Sequence, residues 1–144
     1  MIQQQDPINV SVARWVEKAK RLAPAALQAT ATDALARVRE LTPVRTGQLR
    51  AAWQVVIGGE QLKIDGREGS DDALMARISD LTLGQTIILL NPTVYARRVE
   101  YGFTGTDSLG RHFNQAGHFM MTQTIAELPK IAERATQRVL MGRQ

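Results

Sequence analysis

The chain of 144 residues contains no cysteine. That excludes disulfides and zinc–thiolate sites, and it fits a reducing cytosol. No stretch approaches the roughly 20 apolar residues of a membrane span. The N-terminus shows no charged-then-apolar leader pattern. The reading is a soluble protein, made and used in a cytoplasm. Histidine is limited to His112 and His118, which lie six apart in a glycine-bearing segment with no acid in a ligand pattern, so no metal is expected. Aromatics are few: Trp15, Trp53, Tyr95, Tyr101, Phe103, Phe113 and Phe119. They do not interleave with basic residues as a base-stacking platform requires.

No catalytic constellation stands out. Gly105–His112 brushes the spacing of a phosphate-binding loop but lacks its lysine and the following Ser/Thr. Asp71-Asp72 reads as a helix start, where acids face the dipole favourably. Ser70, Ser79 and Ser108 have no nucleophile-elbow context. Neither an enzyme nor a cofactor is expected.

What is present is a net charge of +4, from 18 basic and 14 acidic side chains. Fourteen of the basic residues are arginines, whose forks suit carboxylates and phosphates. Arg14, Lys18, Lys20 and Arg21 cluster near the start; a solvated face explains them, and contact with DNA or an acidic partner is the sharper reading.

In chain order, residues 1–7 read as a flexible arm, 8–141 as one domain and 142–144 as a flexible tail. Val12, Trp15, Ala19 and Leu22 recur at helical spacing, with Asn9 or Ser11 as cap candidates. Pro24 either kinks this helix or starts a second. Leu27, Ala31, Ala34, Leu35, Val38 and Leu41 continue the stripe, which must end by Leu41 because Thr42 precedes Pro43. Alternation over Leu49, Ala51, Trp53, Val55 and Ile57 predicts a strand with Trp53 buried against the helix. Gly58-Gly59 suggests a hairpin to a return strand at Gln61–Asp65. Ser70 is a cap candidate for a short helix in which Leu74, Ile78 and Leu81 share a face.

Thr86–Leu90 reads as a buried strand, stopped by Asn91-Pro92. A short helix then spans about Thr93–Tyr101, with Val94 and Val99 inward and Arg97, Arg98 and Glu100 reaching water. Gly102 sits where that helix needs a left-handed residue to end. Residues 103–117 form a long loop, a length that is usually functional or disordered. The last helix starts near His118 or Phe119, with an apolar face through Phe119, Thr122, Ile125, Ala126, Leu128, Ile131, Ala132, Ala135 and Val139, and with Pro129 expected to bend or break it. The fold class is α+β: a small, mainly antiparallel sheet packed by a long N-terminal and a long C-terminal helix, with an extended loop before the last helix.

Three stretches match a known pattern in order and spacing. Thr42-Pro43-Val44-Arg45-Thr46-Gly47-Gln48-Leu49-Arg50-Ala51-Ala52-Trp53 resembles "TPVDTG-x-LR-x-SW". Asn91 to Gly102 resembles "N-x-x-x-YA-x-x-vEyG", and Gln115–Met121 resembles "qaPaG-x-fm". The pattern is that of the head–tail joining (neck) or tail-completion proteins of long-tailed double-stranded-DNA bacteriophages. Arg45 stands where those proteins usually carry Asp, and the proline before the last helix is missing.

The resemblance implies a structural virion protein, made in the bacterial host cytoplasm, that closes into a sixfold ring at the neck or the head-proximal end of the tail. Its implied partners are other copies of itself, the adjacent head-completion or connector and tail-terminator or tail-tube proteins, and packaged DNA passing through the lumen; no membrane and no small-molecule substrate are implied. Candidate ring or neighbour contacts are Arg45, Thr46, Gly47, Arg50, Tyr95, Arg97, Arg98, Glu100, Tyr101, Gly102, Phe103, Arg111 and Phe113. The alternatives are a tail-terminator ring that caps tube growth and, from another class, a DNA-binding module.

Overall fold

The computed structural model describes residues 8–58 and 71–142. The arm at 1–7, the return strand at Gln61–Asp65 and the Ser70 cap lie outside the described residues. Ile8–Leu41 forms α1, a single helix of 34 residues that runs through Pro24. Asn9 and Ser11 are therefore interior positions rather than caps. Pro24 starts no second helix, because the stripe on both sides of it has one partner: Leu22, Ala23 and Ala26 all face Val139 and Leu140 of the last helix.

After α1 come α2 (Gln48–Ala51), β1 (Gln54–Ile57), α3 (Asp71–Ser79), β2 (Ile87–Leu90), α4 (Ala96–Tyr101), β3 (Gly102–Thr106), β4 (His112–Ala116) and α5 (Met120–Met141). The α+β class with a long helix at each end is what forms. Among the described residues, however, the strands make two separate antiparallel pairs, β1–β2 and β3–β4, rather than one sheet.

The strand expected from Leu49 begins only at Gln54. Leu49 and Trp53 lie four apart as well as two-periodic, so the pattern also suits a helical turn. That turn forms: the Ala51 and Ala52 N–H groups donate to Gly47 O and Gln48 O at 3.0 Å each. β1 pairs with β2 from Gln54↔Leu90 to Ile57↔Ile87. Val56, which alternation places outward, is buried. β2 is only half-buried, with Ile88 exposed although its direct partner Val56 is buried.

The core joins Ala31, Leu35 and Val38 of α1 to Leu49, Trp53, Val55 and Ile57, then to Leu74, Ile78, Leu81 and Met120. The expected burial of Trp53 and the shared face of Leu74, Ile78 and Leu81 are both present. Gln28 Nε2 fastens the end of α3 to α1 by donating to Ser79 O and Leu81 O at 3.1 and 2.9 Å.

α5 runs unbroken through Pro129 and lies antiparallel on α1. Its inward face is the expected one only in the second half, where Ala135 is buried and Ile131, Ala132 and Val139 are half-buried. Met120, Thr124 and Ala135 are buried, whereas Phe119, Thr122, Ile125, Ala126 and Leu128 are exposed. Steps of three residues drift about 60° round a helix, so the run 119–122–125–128 winds off the core. Met120, Thr124, Glu127, Ile131 and Ala135 hold one face instead. Glu127 on its flank takes a two-pronged bond from Arg37 (2.6 and 3.0 Å). That bond holds Glu127 below the usual carboxylate range and raises the Arg37 guanidinium.

Candidate functional site

The three matched stretches fold into one corner, and three side chains hold it, one within the first stretch and two between stretches. The first is Thr42, buried just past the end of α1. Its hydroxyl donates to Val38 O at 2.6 Å and accepts the indole N–H of Trp53 at 2.9 Å. Arg50 closes the same loop by donating to Thr42 O at 3.1 Å. Thr42→Val keeps the shape but orphans the buried Trp53 N–H, so it is expected to cost about 1–3 kcal/mol in chemical denaturation. Thr42→Ser, which keeps the acceptor, should cost less.

Asn91 joins the second stretch to the first. Its amide nitrogen donates to Leu49 O at 2.8 Å. Its amide oxygen accepts from Thr93 N and Thr93 Oγ1 at 3.2 and 2.8 Å. This Asx turn makes the corner after β2 that Pro92 makes compulsory. α4 then turns Ala96 and Val99 onto the core. Val94, expected inward, precedes the helix and is 97% exposed.

Glu100 joins the second stretch to the third, and here the sequence expectation is overturned. The side chain expected to reach water is buried, at 6% exposure. It lies one turn beyond Ala96 on the inward face of α4, against the start of α5. Its carboxylate accepts Met121 N (2.9 Å), Thr122 N (2.9 Å) and Thr122 Oγ1 (2.8 Å). A carboxylate there satisfies first-turn N–H groups and faces the positive end of the helix dipole. Phe119, which precedes α5 at φ 49°, offers no side-chain cap of its own. Backbone bonds from His118 N to Val99 O (2.8 Å) and Phe119 N to Glu100 O (3.0 Å) complete the joint.

Residues 103–117, expected as a loop, are mostly a hairpin leaving this joint. β3 and β4 pair from Gly102↔Ala116 to Thr106↔His112. Gly102 does terminate α4 at positive φ, but with φ 85° and ψ 170° it is extended rather than left-handed helical, a region essentially confined to glycine. A Cβ there would stand 2.6 Å from Gln115 O, and one on Gly117 would stand 2.6 Å from Glu100 O. The two ends of the hairpin therefore meet at backbone contact.

Along the hairpin, Arg98 lies over the Phe103 ring at 4.0 Å, Phe103 and Phe113 are 6.1 Å apart, and Arg111 lies 5.8 Å over Phe113. At the tip, Asp107 accepts Leu109 N, Arg111 N and Arg111 Nε at 2.9, 2.9 and 2.6 Å. Burial opposes the charge on Asp107, but the bonds from Arg111 and Leu109 outweigh it and hold its pKa below the usual value. A carboxyl depressed on folding contributes above its unfolded pKa, about 3.9, and loses that contribution as pH falls through the folded value. Hairpin order, followed by the Arg111 amide in NMR, should therefore be constant at neutral pH and fail only below about pH 4. Asp107→Asn should weaken it at neutral pH and abolish the loss on acidification.

Between the three stretches lies a groove of about 760 Å³, walled by Pro43, Arg45, Thr46 and Gly47, by Tyr95 and Val99, and by Gln115–His118. Of the expected contact residues, Arg45, Thr46, Gly47 and Tyr95 line this groove. Arg98, Phe103, Phe113 and Arg111 form the hairpin ladder. Arg97 and Tyr101 are exposed beside it. Arg50 and Gly102 hold the backbone of the corner, and Glu100 faces inward as its cap. Thr42, Asn91 and Asp107 were missed as organising residues, although Asn before Pro and Asp-x-x-Gly are turn signals. Arg14, Lys18, Lys20 and Arg21 stand apart, exposed on the first half of α1.

Residues 10–102, more than half of the chain, match the sequence profile of a family described as "Bacteriophage HK97-gp10, putative tail-component". The match takes in the first two stretches and stops where the hairpin begins. No curated protein and no solved structure matches the chain.

Proposed function

Because the chain belongs to the HK97-gp10-like family of phage tail components, we propose that it forms a ring at the neck or head-proximal end of the tail, completing the tail and joining it to the DNA-filled head. Family membership supports a structural role in a phage tail. The ring and the joining step are the finer reading.

The observation that carries it is the corner itself. Buried hydrogen bonds make it rigid, yet it leaves apolar side chains in water: Val44 (56% exposed), Val94 (97%) and Tyr101 (63%), beside the open groove. A lone chain gains nothing from that arrangement, whereas a neighbouring copy would cover it. The groove and the outer half of the hairpin, with Arg111 and Phe113, are different surfaces, so copies meeting through them make a heterologous contact, the kind that closes into rings. The proposed partners are other copies, the adjoining connector, terminator or tube proteins, and DNA in the lumen.

Particles made without this chain test the reading. Loss of joining leaves normal-length tails beside filled heads. Overlong tubes would instead assign the chain to tail termination. A narrower test is the double change Arg97→Glu with Arg98→Glu. Both side chains are exposed, so thermal unfolding should stay close to that of the unchanged chain while assembly fails. Unchanged assembly would remove these arginines from the interface.

A further inference from the structure

The β3–β4 hairpin is a sheet of two strands with both edges open. No other described strand pairs with either of them, and none of its residues belongs to the buried core. The bond from Asp107 N to Arg111 O at 2.9 Å fixes the alternation along it. Antiparallel partners exchange hydrogen bonds at every second position. Gly105↔Phe113 and Phe103↔Gln115 are therefore the bonded pairs, and the N–H and C=O groups of Thr104, Thr106, His112 and Asn114 point away from the hairpin. All four residues are exposed. Folded chains guard such edges with lysine, inward-pointing charges, proline or a covering element. Gly102–Thr106 and His112–Ala116 carry no lysine, arginine, acid or proline. A lone two-stranded hairpin is also only marginally stable in water, and further strands are what stabilise it.

We propose that β4 of one copy pairs antiparallel, through its free edge, with β3 of the next copy, so that main-chain hydrogen bonds form the seam between subunits. This seam rests on the ring reading above and deepens it. Rotation about a ring axis keeps every hairpin in the same sense along that axis. β4 of one copy then meets β3 of its neighbour running oppositely, the arrangement the two strands already adopt within one chain. Both edges of every hairpin are covered. A twofold pairing, β3 on β3 or β4 on β4, covers one edge and leaves the other open, and so does an extended segment of a different protein laid on one edge. Duplex DNA offers no strand to the open N–H and C=O groups. The side chains agree with a second copy. Without stagger, the seam sets Thr104 beside Asn114 and Thr106 beside His112 of the next copy, combinations whose polar atoms already meet within the chain at 3.4 and 3.1 Å. One step further out, the exposed Arg111 guanidinium comes beside Asp107 of the next copy, so opposite charges meet across the seam. The groove lies against β4 and not β3, since Gln115 and Ala116 line it and no residue of β3 does. A neighbour's hairpin that enters the groove therefore arrives beside β4.

The absence of cysteine from the chain makes the seam testable. Chains carrying Thr104→Cys are co-expressed with chains carrying Asn114→Cys during particle assembly. His112→Cys and Ala116→Cys in turn replace Asn114→Cys, to catch a slip of two residues, which keeps the same face. Each chain then holds one cysteine, so no bridge can close within it. A chain carrying both Thr104→Cys and Asn114→Cys should bridge within its own hairpin, where the two lie directly opposite, and controls for oxidation. The expected result is a covalent dimer from oxidised mixed particles and none from particles of either kind alone. A dimer from one kind alone shows twofold pairing and overturns the proposal. So do mixed particles that contain the chain and form no bridge at any of these pairings. Both results leave the ring reading standing, whereas absence of the chain from particles overturns the seam and the ring together.

Discussion

Deleting residues 104–116 is expected to leave a folded chain that no longer joins heads to tails. The gap this opens is already closed in space. Gly102 and Gly117 abut, so near that a Cβ on Gly102 would lie 2.8 Å from Gly117 N. No residue of the buried core belongs to the hairpin. The Glu100 cap and the bonds from His118 and Phe119 all lie outside the deletion. The unfolding midpoint should therefore move little, while particles stall as filled heads beside free tails. What is lost is an arm held rigidly at its base, with the Arg98–Phe103–Phe113–Arg111 ladder along it. Particles that still join would remove the hairpin from the joining role, together with Gln115 and Ala116 of the groove wall, and leave Pro43–Gly47 and Tyr95 as the neighbour contact proposed at this corner.

Glu100→Ala is expected to have the largest effect on stability of any single polar side-chain truncation at the corner. The carboxylate takes three hydrogen bonds in a buried place. Bonds to a charged group contribute about 1.5–3 kcal/mol each, and they are not additive when one group makes all three. An N-cap alone is worth about 1 kcal/mol. Truncation also orphans N–H groups at the start of α5, which have no other side-chain cap. A net loss of about 3 kcal/mol follows, or roughly 10 °C in a chain of this size. Glu100→Gln should fall between, since one amide oxygen can still accept while its NH2 group confronts an N–H donor. Hydrogen exchange should show the loss first at Met121 and Thr122. A cost for Glu100→Ala below about 1 kcal/mol would mean that the tie to α5 is carried by the backbone bonds instead.

Local features were legible in the sequence. Proline 43 set the end of α1 at Leu41, helical spacing put Leu74, Ile78 and Leu81 on one face, and Asn91-Pro92 marked the corner after β2. What escaped reading depends on partners far along the chain. Nothing near Glu100 announces that the start of α5, some 20 residues later, will lie against it, and a charged residue on a short helix reads as exposed by default. The hairpin was partly legible. Phe103-Thr104 and Phe113-Asn114 alternate around an Asp-Ser-Leu-Gly turn, but the glycine content of 102–117 argued for a loop. The inward face of α5 was read correctly from Ile131 to Val139 and mistaken before it, where the apolar run Phe119–Ile125–Leu128 is left in water. The groove between the three stretches could be anticipated only through the resemblance, which put 42–53, 91–102 and 115–121 in one pattern before anything showed that they meet.

Cryo-electron microscopy of the intact particle, focused on the neck, tests the account most directly. It predicts density for this chain as a single closed ring between the connector and the tail tube, with the hairpin and the groove both against neighbouring subunits. A ring elsewhere in the tail, or particles lacking the chain altogether, would contradict it.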